Sequence, residues 1–256
     1  MGETPPVQSA PKVRAFEAIV EHVEQAVLSG ELKTGDRLPG ERELVTRFEV
    51  SRSSVREAMR VLESSGLVAA RPGDPRGAVI LAPTAAPLRK LMTRLTQASS
   101  SSLSDLLIYR MTLESAANSL AATRRTEADM LQLEKAMARM RQARQQGQQA
   151  FSQADLDFHD VVARASGNTM IQISGEAVRQ SIEELITSSI QESGDDRELM
   201  LRTIAHHSDV FEAIRDRDAH RAEHLARSSL FEYYGHLLQD TDREALAALA
   251  SFGTPE

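Results

Sequence analysis

LPGERELVTRFEVSRSSVREAMRVLESSG, residues Leu38 to Gly66, decides the fold of the N-terminal part of the chain. From Glu41 to Phe48 the apolar residues Leu44, Val45 and Phe48 share one helical face, and Glu49-Val50-Ser51 breaks the pattern. Ser51 suits the N-cap of a following helix that runs to about Ser64, with Val55, Met59 and Leu62 turned inward and Gly66 at its stop. Two short helices joined by a tight turn therefore carry Arg42, Arg47, Arg52 and Arg56. Arg52 and Arg56, one helical turn apart, project from one face at the start of the second helix, with Ser51, Ser53 and Ser54 beside them.

On either side the pattern continues. Upstream, Val13, Phe16, Ile19, Val20, Val23 and Val27 recur at three- and four-residue spacing, which predicts a helix over Lys12 to Leu28 that stops at Ser29-Gly30. Residues 1–11, MGETPPVQSAP, have no periodicity and read as a disordered lead-in. Downstream, Leu67 to Arg71 and Ala78 to Leu81 flank PGDPRG, so a small β-hairpin is expected. Three helices and a hairpin over residues 12–82 make a winged helix-turn-helix.

Beyond the short linker expected at 83–87, nearly everything has helical period: about 88–98, 103–123, 126–146, 148–166, 168–192, 196–217 and 219–239. Six or seven helices imply an all-α bundle over residues 88–240, with 241–256 left as a tail. The fold class is thus mainly α. The low aromatic share of 4% and the absence of Trp agree with packed helices. The absence of Cys excludes disulfides and thiolate metal sites, so any metal falls to His and carboxylates. No signal-peptide core or membrane-length apolar run is present in the sequence, so a cytoplasmic protein without a membrane partner is expected. The net charge of -7 lies outside the N-terminal region: residues 12–82 hold 11 basic and 11 acidic residues.

The arginine-rich helix pair has residue types suited to double-stranded DNA. A guanidinium can donate to guanine O6 and N7 together, while Ser hydroxyls and helix N-terminal amides suit phosphate. Spacing alone leaves open that these arginines pair with Glu41, Glu43, Glu49 and Glu57 as on any charge-rich surface. The stretch also closely resembles the DNA-binding domain of the GntR family, with LP-x-ER-x-L, V-SR-x-x-VREA and L-x-x-x-GL in place. Covering residues 12–82, the resemblance implies contacts to bases or phosphates from Arg42, Arg52 and Arg56, supported by Ser51, Ser53 and Ser54. Gly77 would mark the wing tip. Asp74-Pro75-Arg76 departs from the family's usual Arg-Gly-x-Gly wing, and Arg76 is the residue placed to substitute.

The C-terminal part resembles the FCD-type effector domain of the FadR subfamily, through DLLIYRMTLESAAN (105–118), DLDFHDVVARASGN (155–168), HSDVFEAIRDRD (207–218) and the helix after Asp218. Physically, Asp155 and His159 at i and i+4 put a carboxylate and an imidazole on one helix face, as a divalent metal requires, and His207 would add a third ligand; an ordinary salt-bridge pair is the alternative. The subfamily's metal-binding members carry a further His where this chain has Ser229. Either the cation (Zn²⁺, Ni²⁺ or Mn²⁺) completes its shell with water, or the effector is held directly by His159, His207, Ser229 and Arg110. His224 is too far round its helix to replace the missing ligand, and His206 and His220 are expected at the surface. Arg110, within the subfamily's R-x-x-L-E segment, either faces the cavity and takes an anion or pairs with Glu114. The resemblance implies a homodimeric, metabolite-responsive repressor that is not an enzyme, binding a small carboxylate (sugar acid, hydroxy acid or dicarboxylate) and releasing a palindromic operator. An acyl-CoA-responsive regulator without metal and, further off, a metal-dependent hydrolase are the alternatives.

Overall fold

The computed structural model describes residues 12–70, 76–98, 102–189 and 196–251. The chain divides into two compact units, residues 1–87 and 88–256. The expected lead-in at 1–11 and most of the expected wing turn, residues 71–75, lie outside the described residues.

The first unit contains α1 (Lys12–Leu28), α2 (Glu41–Phe48), α3 (Arg52–Ser64), β1 (Val68–Ala69) and β2 (Val79–Ile80). Ile19 and Val23 from α1, Leu44 from α2, Val55, Ala58 and Leu62 from α3, and Val68 and Ile80 from the hairpin close one apolar core. The two strands are antiparallel, with Val68 opposite Ile80 and Ala69 opposite Val79. Both are shorter than the sequence pattern suggests, but the sheet gains a neighbour on its other side. Gly35 N–H donates to the Ile80 carbonyl at 2.9 Å, Ile80 N–H to the Asp36 carbonyl at 2.8 Å and Leu38 N–H to the Ala78 carbonyl at 2.8 Å. The turn-rich segment before α2 is thereby tied to the wing. Gly77 is required at that junction: its φ is +84°, and a Cβ there would lie 1.9 Å from the Leu38 carbonyl oxygen.

The second unit is helical: α4 (Ala86–Gln97), α5 (Leu103–Arg124), α6 (Glu127–Ala143), α7 (Gln148–Ala165), α8 (Thr169–Ser189), α9 (Asp196–Arg215), α10 (Ala219–Tyr234), a 3₁₀ turn at Gly235–Leu237, and α11 (Asp240–Ser251). Capping boxes start α5 and α6. Ser102 and Asp105, and likewise Thr126 and Asp129, exchange side-chain and backbone hydrogen bonds, which satisfies amides that a helix start leaves unpaired. Two differences from the sequence reading concern boundaries. The linker expected at 83–87 is shorter, because α4 starts at Ala86, and Ala85 is buried. The segment read as a tail, 241–256, is largely α11, whose Leu246 and Ala250 are buried in an apolar cluster with Leu107, Ile182 and Leu230. With apolar positions spaced for one helical face, burial stabilises α11 where composition alone suggested a free end.

α5 runs through the middle of the bundle and packs against α7, α8, α9, α10 and α11. Its C-terminal half joins an apolar core with α6, α7 and α9, and its N-terminal half joins the cluster that includes α8, α10 and α11. Between these two cores α5 buries Arg110, Glu114, Ser115 and Asn118. This polar level of the bundle positions the site.

Candidate functional site

Two surfaces bring the sequence-marked residues together. In the first unit, Ser51 caps α3 by accepting from Ser54 N–H at 3.2 Å, and its hydroxyl also meets those of Ser53 at 2.7 Å and Ser54 at 3.0 Å. Arg42, Ser51, Arg52, Ser53, Arg56 and Arg76 are exposed. Ser54 differs: only 7% of it is exposed, and it serves the cap and the core rather than the outer face. Arg56 Nε donates to Glu41 Oε2 at 3.3 Å, realising part of the alternative in which these arginines pair with nearby carboxylates. Both partners are more than half exposed, so the pair is worth at most about 1 kcal/mol and yields readily to a phosphate.

In the second unit, a cavity of about 680 Å³ opens at the polar level of the bundle. Asp155 and His159 reach it from α7, His207 from α9, Arg110 and Glu114 from α5, and Ser229 from α10. One ligand atom each from Asp155, His159 and His207 lie within 4.8 Å of one another. His207 Nδ1 stands 2.8 Å from the Thr203 carbonyl, which only accepts, so Nδ1 donates there and Nε2 turns to the cavity. That Nε2 is 3.3 Å from His159 Nε2 and 3.1 Å from Asp155 Oδ1. Asp155 Oδ1 is buried without a hydrogen-bond donor. Phe158 stacks edge-on against His207 at 4.6 Å and fixes the ring plane. Burial pushes His159 down to about 4, against the opposing pull of Glu114 and Asp155, so the imidazole is neutral near pH 7 and free to ligate. Two imidazoles and a carboxylate whose ligand atoms converge within 4.8 Å are what a divalent cation needs, and the three residues fit one.

Arg110 pairs with Glu114, as one of its two readings had it, and also borders the cavity. Its Nε donates to Glu114 Oε1 at 2.9 Å and its Nη1 to the Tyr234 hydroxyl at 3.0 Å. Burial drives the Glu114 carboxyl upward, but Arg110, His159 and Arg179 together outweigh it and hold the group at about 2. Ser229 borders the cavity, its hydroxyl donating to the Ala226 carbonyl at 3.3 Å. His220 and His224 are exposed. His206, expected at the surface, is instead half-buried on the cavity wall, and burial, with His207 next to it, pushes it down to about 4. Sequence reasoning also passed over Arg179, which α8 carries into the cavity wall with 3% exposure, and Tyr234. Nothing local marks Arg179, which stands among ordinary helix residues.

The chain matches the family model described as bacterial regulatory proteins, gntR family, over residues 15–77, and the FCD domain model over residues 105–231. It is 30% identical to the HTH-type transcriptional repressor NanR of Klebsiella aerogenes, over 84% of this chain and 82% of that one. It belongs to the GntR family of bacterial transcriptional regulators. Like other GntR proteins with an FCD domain, it is a DNA-binding transcriptional regulator whose second domain serves effector binding. A further relative is the Glc operon transcriptional activator of Escherichia coli K12, 27% identical over 82% of this chain and 84% of that one. Among solved structures, Streptococcus agalactiae GntR shares the fold, with a TM-score of 0.61 and 24% identity over 85% of this chain and 98% of that one. Among the described residues of this GntR protein no helix is long and apolar enough to cross a membrane.

Proposed function

We propose that this regulator is a metabolite-responsive repressor that acts as a homodimer on a palindromic operator in the cytoplasm, and that a small carboxylate releases it. The observation that carries the effector part is the convergence of Asp155, His159 and His207 within 4.8 Å in a cavity that Arg110 also lines. A Zn²⁺, Ni²⁺ or Mn²⁺ ion held by those three residues would supply a Lewis-acidic anchor for a carboxylate and an adjacent hydroxyl. Ser229 leaves the coordination position of the missing imidazole open to water or to the effector itself. Arg110, His159, His207 and Ser229 form the wall the effector meets. The effector class is a sugar acid, hydroxy acid or dicarboxylate, and a volume of about 680 Å³ lined by buried charge favours these over an acyl chain.

On the DNA side, Arg52 and Arg56 read base edges from the start of α3, while Arg42, Ser51, Ser53 and the wing residues Arg76 and Gly77 position the unit on the backbone. Repression is relieved because the effector binds better to a dimer whose two reading units mismatch the half-sites, a coupling of about 1 to 3 kcal/mol. The name of the K. aerogenes relative supports the repressor reading; that of the E. coli relative is an activator's, so the sign needs its own measurement.

The test is elemental analysis of gently purified protein, with a thermal-shift screen of small carboxylates with and without added metal. Stabilisation by one carboxylate only in the metal-loaded form is expected. Stabilisation indifferent to metal would remove the cation from the proposal. A promoter-reporter strain and sedimentation at several concentrations settle the sign of regulation and the dimer.

A further inference from the structure

Two guanidiniums flank Glu114, and they are not equivalent. Arg110 is engaged on both edges of its fork, Nε on Glu114 and Nη1 on the Tyr234 hydroxyl, with the guanidinium carbon 5.4 Å from the centre of the Tyr234 ring. That commits two of the three guanidinium nitrogens within the protein, whereas Arg179 hydrogen-bonds through one. Arg179 is differently held. Its Nη2 donates to Asp160, a half-exposed residue on α7, while its Nη1 stands 3.8 Å from Glu114 Oε1, an ion-pair distance beyond hydrogen-bond reach. Asp160 thus draws one end of the fork away from the cavity and leaves the other on the side of Glu114.

The backbone makes room for that arrangement. Gly175 lies one turn before Arg179 on α8, and a Cβ built on it would come within 3.0 Å of Arg179 Nη1. Glycine is a poor choice inside a helix of this length, where alanine is the better helix former. Its presence admits the guanidinium at a place any side chain would contest.

From these contacts we infer that Arg179 is a direct effector-binding residue, its Nη1 donating to a carboxylate oxygen of the effector. Asp160 and the bare surface of Gly175 are the features that hold it in position. Arg110 then contributes charge and keeps Glu114 in place, and the direct hydrogen bond to the anion comes from α8. This inference rests on the reading of the cavity as a carboxylate site, and it adds a residue to which no role in that site has been given.

The experiment uses the full-length protein with Zn²⁺, titrated calorimetrically with gluconate, lactate and succinate as probes of the three acid classes. For whichever probe binds, Arg179→Lys, which keeps the charge and loses the planar fork, is expected to weaken binding at least tenfold. Gly175→Ala is expected to weaken it several-fold while leaving Tm equal or higher, because the substitution favours the helix and crowds only the guanidinium. Zn²⁺ affinity should be unchanged in both variants, which a general disturbance of the cavity would not allow. Carboxylate affinity within twofold of wild type in both variants, with a probe that does bind, overturns the inference and leaves the carboxylate reading standing. If none of the three probes binds the wild type, the carboxylate reading falls and this inference falls with it.

Discussion

Asp155 Oδ1 and His207 Nε2 face each other at 3.1 Å, with the opposite nitrogen of the ring held by the Thr203 carbonyl. A cation between them would take a ligand from each. Adding Zn²⁺ to chelator-treated protein should therefore raise Tm, by an amount equivalent to about 2.7 kcal/mol when the free ion stands at a hundred times its Kd. Asp155→Asn and His207→Ala should abolish the response. Equal melting curves with and without metal would remove the site.

Acid should act on the metal-free protein through His159. Its folded value, pushed by burial to about 4, lies below the unperturbed 6.5. Between those two values the unfolded chain takes up a proton that the folded chain refuses, so unfolding is favoured as pH falls through this window and stability recovers above it. Tm measured from pH 7 to pH 4 should fall more steeply for wild type than for His159→Asn. Parallel curves would show that His159 is not the group responsible.

On the DNA-reading face, Arg52→Ala and Arg56→Ala should each weaken binding to a selected operator duplex by roughly 1 to 3 kcal/mol, without loss of helical signal. Glu41→Gln, which frees Arg56 from its 3.3 Å pair, should leave affinity equal or slightly higher. Fluorescence anisotropy on a duplex recovered from a random pool measures all three, and wild-type affinity in both arginine variants would sink the assignment.

Gly77→Ala should destabilise the first unit by about 2 to 4 kcal/mol, since both the positive φ and the Leu38 carbonyl oppose a side chain. Leu246→Ala should cost a comparable 2 to 5 kcal/mol, because that side chain is fully buried in the bundle. Urea unfolding checks both; a Leu246→Ala midpoint equal to wild type would mean that α11 contributes little to the bundle.

The helices were legible because local rules govern them: Ser51, Ser102 and Thr126 stand where an N-cap must, and the apolar residues of α1 to α3 recur at helical spacing. Asp155 and His159 were legible for the same reason, one turn apart on one helix. What the sequence withheld depends on distant partners. Arg179 acquires its meaning from Asp160 on α7 and Glu114 on α5, and His206 is buried by the packing of other helices against its own. The pairing of Asp36 and Leu38 with the wing strand was invisible because the segment reads as turn residues, with none of the alternation that marks a strand.

That last pairing bears on how control can be exercised. The wing strand is stitched to the segment that leads into α2, Arg37 Nη1 donates to the Gly77 carbonyl at 3.0 Å, and a single core runs beneath helices and hairpin alike. Among the described residues, a reading head built this way has no soft joint between its helices and its hairpin strands. On the proposed reading, such a head would engage a half-site as a whole or not at all, and a signal reaching it would have to relocate it rather than reshape it.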